Sequence, residues 1–321
     1  MQIPYCLFLF SFFLVSSLYS AHCQQNERLH VMAYGEYLYW LAEQESLHFA
    51  IDGIQEEGMG QLYAIEGTWD SGFRVGAGIV LPCQCQELTF DWTRFRTGDS
   101  EFVLEDGLDL FPTRGNPGGP GNIIDASAEW QLEIDSLRLR WAIPLSVHSC
   151  LLLQPYLAVR SDLIHQHFHV HYEVGGANDN CININSRFWG VGPEIGFESR
   201  WFLYKRCFSL FADASYSLLR GCQDLQELHD RVTSSNNDVH VEYSILKLQS
   251  VVSLQLGLRW QGCINIRCQL PISVQAGWES NIWFDQSGML AFTDRARDGS
   301  VVFPNSSLKT SGLTLRASIA Y

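Results

Sequence analysis

The sequence predicts an all-β fold: a transmembrane antiparallel up-and-down β-barrel of about 12–16 strands. Three observations carry that expectation. Stretches of roughly ten residues alternate apolar and polar side chains with period two. Aromatic residues make up 13% of the chain, with ten tryptophans, while charged residues make up 17%, below the roughly 25% usual for soluble domains. And after an apolar leader, no later apolar run approaches the length of a membrane helix.

The leader reads MQIPYCLFLFSFFLVSSLYSAHCQQNE, apolar from Ile3 to Leu18 and then small and polar. This is the pattern of a cleaved secretory signal, with candidate cleavage sites from Ser20 to Cys23. Residues 1–23 are therefore read as signal peptide and residues 24–321 as one barrel domain. The leader lacks Lys and Arg before its apolar run. A permanent anchor is the alternative, but the run falls short of about 20 residues.

Candidate strands follow in order. They are Glu36–Glu43, Gly72–Leu81, Leu88–Thr97, Glu129–Ile143, Leu153–Leu163, Gln166–Val174 and Phe188–Trp201. Clearer alternation comes later. Phe208, Leu210, Ala212, Ala214, Tyr216 and Leu218 oppose Ser209, Asp213, Ser215 and Ser217. Val252, Leu254, Leu256, Leu258 and Trp260 oppose Ser253, Gln255 and Arg259. Ile272, Val274, Ala276 and Trp278 oppose Ser273, Gln275 and Glu279. The last strand sets Leu313, Leu315, Ala317, Ile319 and Tyr321 against Thr314, Arg316 and Ser318. An apolar face opposite a charged one suits a strand between lipid and a wet interior. Soluble antiparallel sheets also alternate, but their strands average only about five or six residues.

Within Glu129–Ile143 the phase inverts: Trp130, Leu132 and Ile134 are even, whereas Leu137, Leu139 and Trp141 are odd. A bulge or tight turn near Asp135–Ser136 would do this. The polar stretches Gly98–Asn122, Gly175–Asn185, Leu228–Asp238 and Ser287–Lys309 read as long outward loops. The acidic part, Asp99–Asp109, either folds inward as a constriction or stays solvated.

The formal net charge of −14 excludes nucleic acid as a natural partner, since that calls for basic surfaces. In a barrel the acidic excess would line loops and lumen and favour cations. Outer-membrane lipids and small polar solutes are the partners such a chain implies. Export makes disulfides the default for Cys83, Cys85, Cys150, Cys181, Cys207, Cys222, Cys263 and Cys268. Spacing does not define their pairing.

HQHFHVH places His165, His167, His169 and His171 at period two, so on a strand all four point one way. They are either a wet polar face or ligands that share a metal ion. In a lumen, the ladder would reduce conductance when acid, zinc or nickel is added. Arg138, Arg140, Asp213, Arg259, Glu279 and Arg316 lie opposite lipid-type faces and are candidate pore-lining residues. They would either set ion preference or pair structurally within the lumen. Enzyme motifs are missing from the sequence: neither a GxSxG elbow nor an HExxH helix occurs. GNPGGPG (Gly115–Gly121) carries prolines and reads as a loop, not a phosphate cradle.

Five blocks resemble one bacterial family. They are GEYLYWLAEQESLHFAIDG (Gly35–Gly53), WDSGFRVGAGIVLP (Trp69–Pro82), LTFDWTRFRT (Leu88–Thr97), FWGVGPEIGFESRWFL (Phe188–Leu203) and FSLFADASYSLLRG (Phe208–Gly221). Their order and spacing resemble the major outer membrane proteins of Legionella and their relatives in Chlamydia-like bacteria. The resemblance implies a pore-forming barrel of the bacterial outer membrane, without enzyme chemistry or cofactor. Separately, the last strand, ending on the aromatic Tyr321 of its apolar face, resembles the terminal strand signal of bacterial outer-membrane proteins and is expected to be read by barrel-assembly machinery. The cysteine content is similar to that of chlamydial envelope proteins linked by disulfides, although Cys83–Cys85 departs from the Legionella-type pattern. Two functions are compatible with this sequence. The leading expectation is a porin for passive diffusion of small polar solutes. The other is a structural or adhesive surface barrel without an open channel, as a homo-oligomer or disulfide-linked to its neighbours.

Overall fold

The computed structural model describes residues 30–52, 60–81, 86–104, 110–114, 123–173, 179–203, 207–231, 239–265, 269–286, 291–292, 301–302 and 306–321. The expected signal peptide, Cys83, Cys85, Cys268 and residues 105–109 of the acidic stretch lie outside them. Among the described residues no helix is long and apolar enough to cross a membrane. The strands do the crossing.

In chain order the first eight are β1 His30–Gln44, β2 His48–Asp52, β3 Leu62–Ala64, β4 Trp69–Leu81, β5 Gln86–Leu104, β6 Leu110–Pro112, β7 Asp125–Ala142 and β8 Leu145–His148. The rest are β9 Leu151–Glu173, β10 Asn180–Phe202, β11 Phe208–Arg231, β12 Val239–Asn265, β13 Gln269–Trp283, β14 Ala291–Phe292, β15 Val301–Val302 and β16 Leu308–Ala320.

Ten of these close a ring: β10, β11, β12, β13, β16, β1, β4, β5, β7 and β9, with β9 pairing back to β10. Every neighbour in the ring is antiparallel, so the barrel is up-and-down as expected. First and last strands close onto each other, Met32 opposite Ala320 and Gln44 opposite Leu308. Tyr321 adds backbone bonds to Val31 in both directions, 2.9 and 2.8 Å.

The strand number corrects the expected 12–16. β9, β10, β11 and β12 run 23, 23, 24 and 27 residues, more than twice what a bilayer crossing needs. Leu153–Leu163 and Gln166–Val174 are thus one strand. Parts of the expected loops, such as Gly98–Leu104 and Asn180–Asn185, are strand as well. Four of the strands stand far out of the membrane on the side of the long loops.

That overhang also explains the phase inversion in β7. No bulge exists at Asp135–Ser136: pairing to β5 and β9 runs unbroken from Asp125 to Ala142. Even residues face inward throughout. What changes is the medium. Leu137, Leu139 and Trp141 face lipid, whereas Glu133 and Asp135, on the same outer face, stand above it in water. Inside, Arg138 and Arg140 give way to buried Trp130, Leu132 and Ile134.

The outer surface therefore carries an apolar band edged by aromatic residues. Trp69, Trp92, Trp189 and Trp278 mark its outer edge, and Trp141, Trp201 and Trp260 its inner edge. The rings of Trp69 and Trp278 lie 5.9 Å apart, edge to face. Trp40, Trp130 and Trp283 point inward instead and are 2%, 0% and 1% exposed. Ile195 sits in mid-band, facing out at 61% exposure. Ile195→Arg is expected to cost about 2–4 kcal/mol of barrel stability. Thermal unfolding in lipid vesicles checks this, with Glu129→Arg, above the band, as the neutral comparison.

Candidate functional site: the barrel interior and the histidine wall

Inside the band the interior is charged but filled. Arg74 is the centre of one cluster. Its guanidinium donates to Glu36 at 2.9 Å and to both oxygens of Glu279 at 2.8 and 3.0 Å. Its Nε donates to Thr93 at 2.8 Å. Arg316 meets Glu36 from the opposite side at 2.8 Å. A second cluster joins Arg138 to Asp91 at 3.1 Å and to Glu194 at 3.5 Å. Arg160 bridges Asp162 and Glu194 at 2.9 and 3.7 Å. A third joins Arg140 to Glu198 and Asp213 at 3.1 and 3.8 Å, with Arg200 also on Glu198.

Two layers repeat the same stack. Tyr34 lies over Gly76 of the neighbouring strand, where a Cβ would come within 2.4 Å of the ring. Arg316 then lies 4.5 Å above that ring. Likewise Tyr156 lies over Gly196, again at 2.4 Å, with Arg140 3.9 Å above it. Only glycine lets a tyrosine lie flat against the wall, which holds each arginine at a fixed depth in the lumen.

The six candidate interior residues are all on the inner face: Arg138, Arg140, Asp213, Glu279 and Arg316 within these clusters, and Arg259 beside them. Sequence reasoning missed Glu36, Arg74, Asp91, Arg160, Asp162, Glu194, Glu198 and Arg200. Their alternation with apolar neighbours was the available signal. The six paired arginines meet seven carboxylates, so the interior is nearly balanced and the −14 of the chain lies mostly elsewhere. A cavity of about 50 Å³ remains between Arg74, Arg138, Arg160, Glu279 and Trp283. It has room for a few waters only.

Above these clusters an apolar core fills the barrel, beside buried polar side chains that include Gln166, Gln223 and the Glu227–His229 pair at 2.6 Å. Trp40, Phe95, Trp130, Phe168, Phe188 and Trp283 from the wall form one apolar core with Leu47, Phe49, Ile65, Leu110 and Ile123 from the loops. β2, β3 and β6 form a small three-stranded sheet that roofs it. Tyr172 fastens the roof by donating to the carbonyl of Phe49 at 2.6 Å. Arg114, over the Phe168 ring at 5.6 Å, donates to the carbonyls of Ser46 and His48. His48 in this roof has its imidazole pKa pulled below the usual 6.5, by burial and then by the charge of Arg114.

The histidine ladder is not in the lumen. Gln166, Phe168, Val170 and Tyr172 take the inner face of β9 and are buried, so His165, His167, His169 and His171 stand on the outer wall. They lie above the apolar band, which ends on β9 at Leu163. The expected effect of acid or metal on conductance therefore loses its basis. His167 and His169 place Nδ1 2.7 Å from the Oδ1 atoms of Asn185 and Asn183 on β10. His171 places Nδ1 3.2 Å from Cys181 Sγ. The lower ladder adjoins an outer groove of about 740 Å³ lined by Glu133, His165, His167, Arg187, Asp224 and Glu242.

Among the described residues no two cysteines are joined in a disulfide. Cys150, Cys207 and Cys263 are exposed and all lie at the rim opposite the long loops, whereas Cys181 and Cys222 lie on the overhanging wall. Among the described residues, no three His, Cys, Asp or Glu side chains are gathered as a metal site.

A family model described as Legionella pneumophila major outer membrane protein precursor matches residues 27–320. Comparison with the curated proteins gives no match. Among solved structures, the outer membrane protease OmpT from Escherichia coli is similar at 10% identity, over 94% of this chain and 99% of that one, with a TM-score of 0.47. The translocator domain of autotransporter NalP from Neisseria meningitidis is 10% identical over 98% and 95%, TM-score 0.33. A Pseudomonas aeruginosa FadL homologue is 7% identical over 92% and 90%, TM-score 0.30.

Proposed function

The chain belongs to the Legionella major outer membrane protein family, and on that premise we propose that it is a closed-lumen surface barrel with a structural and adhesive role. One observation carries this reading: the interior is filled twice over, by interlocked ion pairs within the membrane and by an apolar core above it. Passive diffusion needs a continuous water path, and rings of charge select ions only where water and ions pass between them. Here the charges are spent on one another. The long strands instead raise a polar outer wall and a loop roof well above the lipid, a surface suited to contact with other envelope components.

The exposed thiols of Cys150 and Cys263 support linkage to neighbouring copies or other envelope proteins at the periplasmic rim. Export with cleavage within residues 1–23, and assembly through the Tyr321 strand, complete the reading. A porin for small polar solutes is the second reading. It is favoured by the charged lining below the core, which a permanently dry barrel would not need. Liposome swelling separates the two. Vesicles containing the folded protein are expected to swell no faster in small sugars than empty vesicles. Swelling whose rate falls with sugar size would establish the porin instead.

A further inference from the structure

We propose that the outer wall carries a site for an acidic oligosaccharide, the sugar head of a glycolipid in the outer leaflet of the same membrane. The outer groove of about 740 Å³ is floored by two polar rows that each cross five strands. Glu133, His165, Arg187, Asp224 and Ser244 stand side by side on β7, β9, β10, β11 and β12. Two residues farther from the membrane, Gln131, His167, Asn185, Gln226 and Glu242 repeat the row. Neighbouring strands are about 4.8 Å apart, close to the repeat of one pyranose unit. A short sugar chain laid across the wall therefore offers each strand one ring of hydroxyls.

The centre of the groove holds unengaged groups. Among the described residues Arg187 makes no hydrogen bond or salt bridge. Asp224, opposite it on β11, accepts from Ser244 at 2.7 Å instead. The outer arginine of β5 differs, since Arg96 is paired with Glu133 at 3.2 Å. Asn185 accepts from His167 at 2.7 Å, which leaves its amide N–H groups to donate. Gln226 donates to Glu242 at 3.5 Å, which leaves its carbonyl oxygen to accept. Hydroxyls do both, and the guanidinium adds a partner for a phosphate or carboxylate on the sugar. Height selects the occupant. On β10, Arg187 and Asn185 lie two and four residues beyond Trp189, at the edge of the apolar band. With strands tilted about 35–45°, they stand roughly 5 and 10 Å above the hydrocarbon. Phospholipid head groups fill only about the first 5–7 Å, so the second row meets a lipid only if that lipid carries sugars. The site lies outside the barrel and is independent of whether the lumen conducts.

The test is native mass spectrometry of the full-length folded barrel in detergent, titrated with a rough lipopolysaccharide that carries a phosphorylated core oligosaccharide. Lipid A without core sugars, phosphatidylglycerol and the free core oligosaccharide are titrated alongside. The lipopolysaccharide is expected to bind at least about tenfold more tightly than any of the three. Arg187→Gln should weaken it at least about tenfold, as for loss of one charge-assisted hydrogen bond, and Gln226→Leu roughly threefold. Lys309→Gln, the same loss of charge on exposed β16, should change nothing. Native heat-modifiable migration of each variant confirms its fold. Absence of binding, or equal affinity for lipid A and lipopolysaccharide, would overturn the proposal. So would an Arg187→Gln/Gln226→Leu protein that binds as well as wild type. Free core oligosaccharide binding as tightly as lipopolysaccharide would overturn the glycolipid as occupant and assign the groove to a soluble sugar.

Discussion

Replacing Arg74 by alanine is expected to destabilise the barrel by about 3–5 kcal/mol, as when one partner of a buried ion pair is removed. Glu36 and Glu279 are 4% and 5% exposed, and both lean on the same guanidinium. Without it Glu36 keeps Arg316 at 2.8 Å, whereas among the described residues Glu279 keeps the amide of Asn281 at 3.1 Å. Glu279→Gln in the Arg74→Ala background should therefore recover part of the loss. Unfolding in detergent, followed by the heat-modifiable band, measures both. A loss under about 1 kcal/mol would place Arg74 among ordinary surface pairs and contradict its central role.

Trp283 joins the two fillings of the barrel, and Trp283→Ala should cost about 3–5 kcal/mol. Its ring is 1% exposed within the apolar core. Its Nε1 donates to Asp162 at 2.7 Å, and Arg160 lies 5.5 Å over its face. Trp283→Phe keeps most of the volume and loses the hydrogen bond, so about 1–3 kcal/mol is expected from Asp162 left short of a donor. If both variants cost the same, the cavity counts for little and the ionic layer alone holds that level.

Much of this architecture was legible. Alternation in Leu313–Tyr321 and Val252–Trp260 assigns lipid and interior faces correctly because each stretch lies wholly within the membrane. The reading fails where a strand leaves it. At Asp135 on β7 and His165 on β9 the outer face passes from lipid to water, and the inner face from charge to apolar core. Polarity inverts although the backbone does not. Periodicity reports the medium as well as the direction of a side chain. An inversion without Gly or Pro thus mimics a bulge in β7 and a strand break in β9. The same cause inflated the strand number and turned the histidine ladder inward.

The interior arginines were legible as inward-facing because their neighbours are apolar. Their partners were not. Arg74 and Glu279 are 205 positions apart, and only closure of β1 onto β16 brings β4 within reach of β13. Whether inward charges line water or pair with each other depends on barrel radius, hence on strand number, which the overlong strands concealed.

Single-channel recording in a planar lipid bilayer tests the sealed interior most directly, with folding verified by heat-modifiable migration before insertion. The filled interior implies no stepwise conductance above that of the bare membrane in concentrated KCl. Reproducible, long-lived conductance steps from the folded wild-type barrel would contradict it.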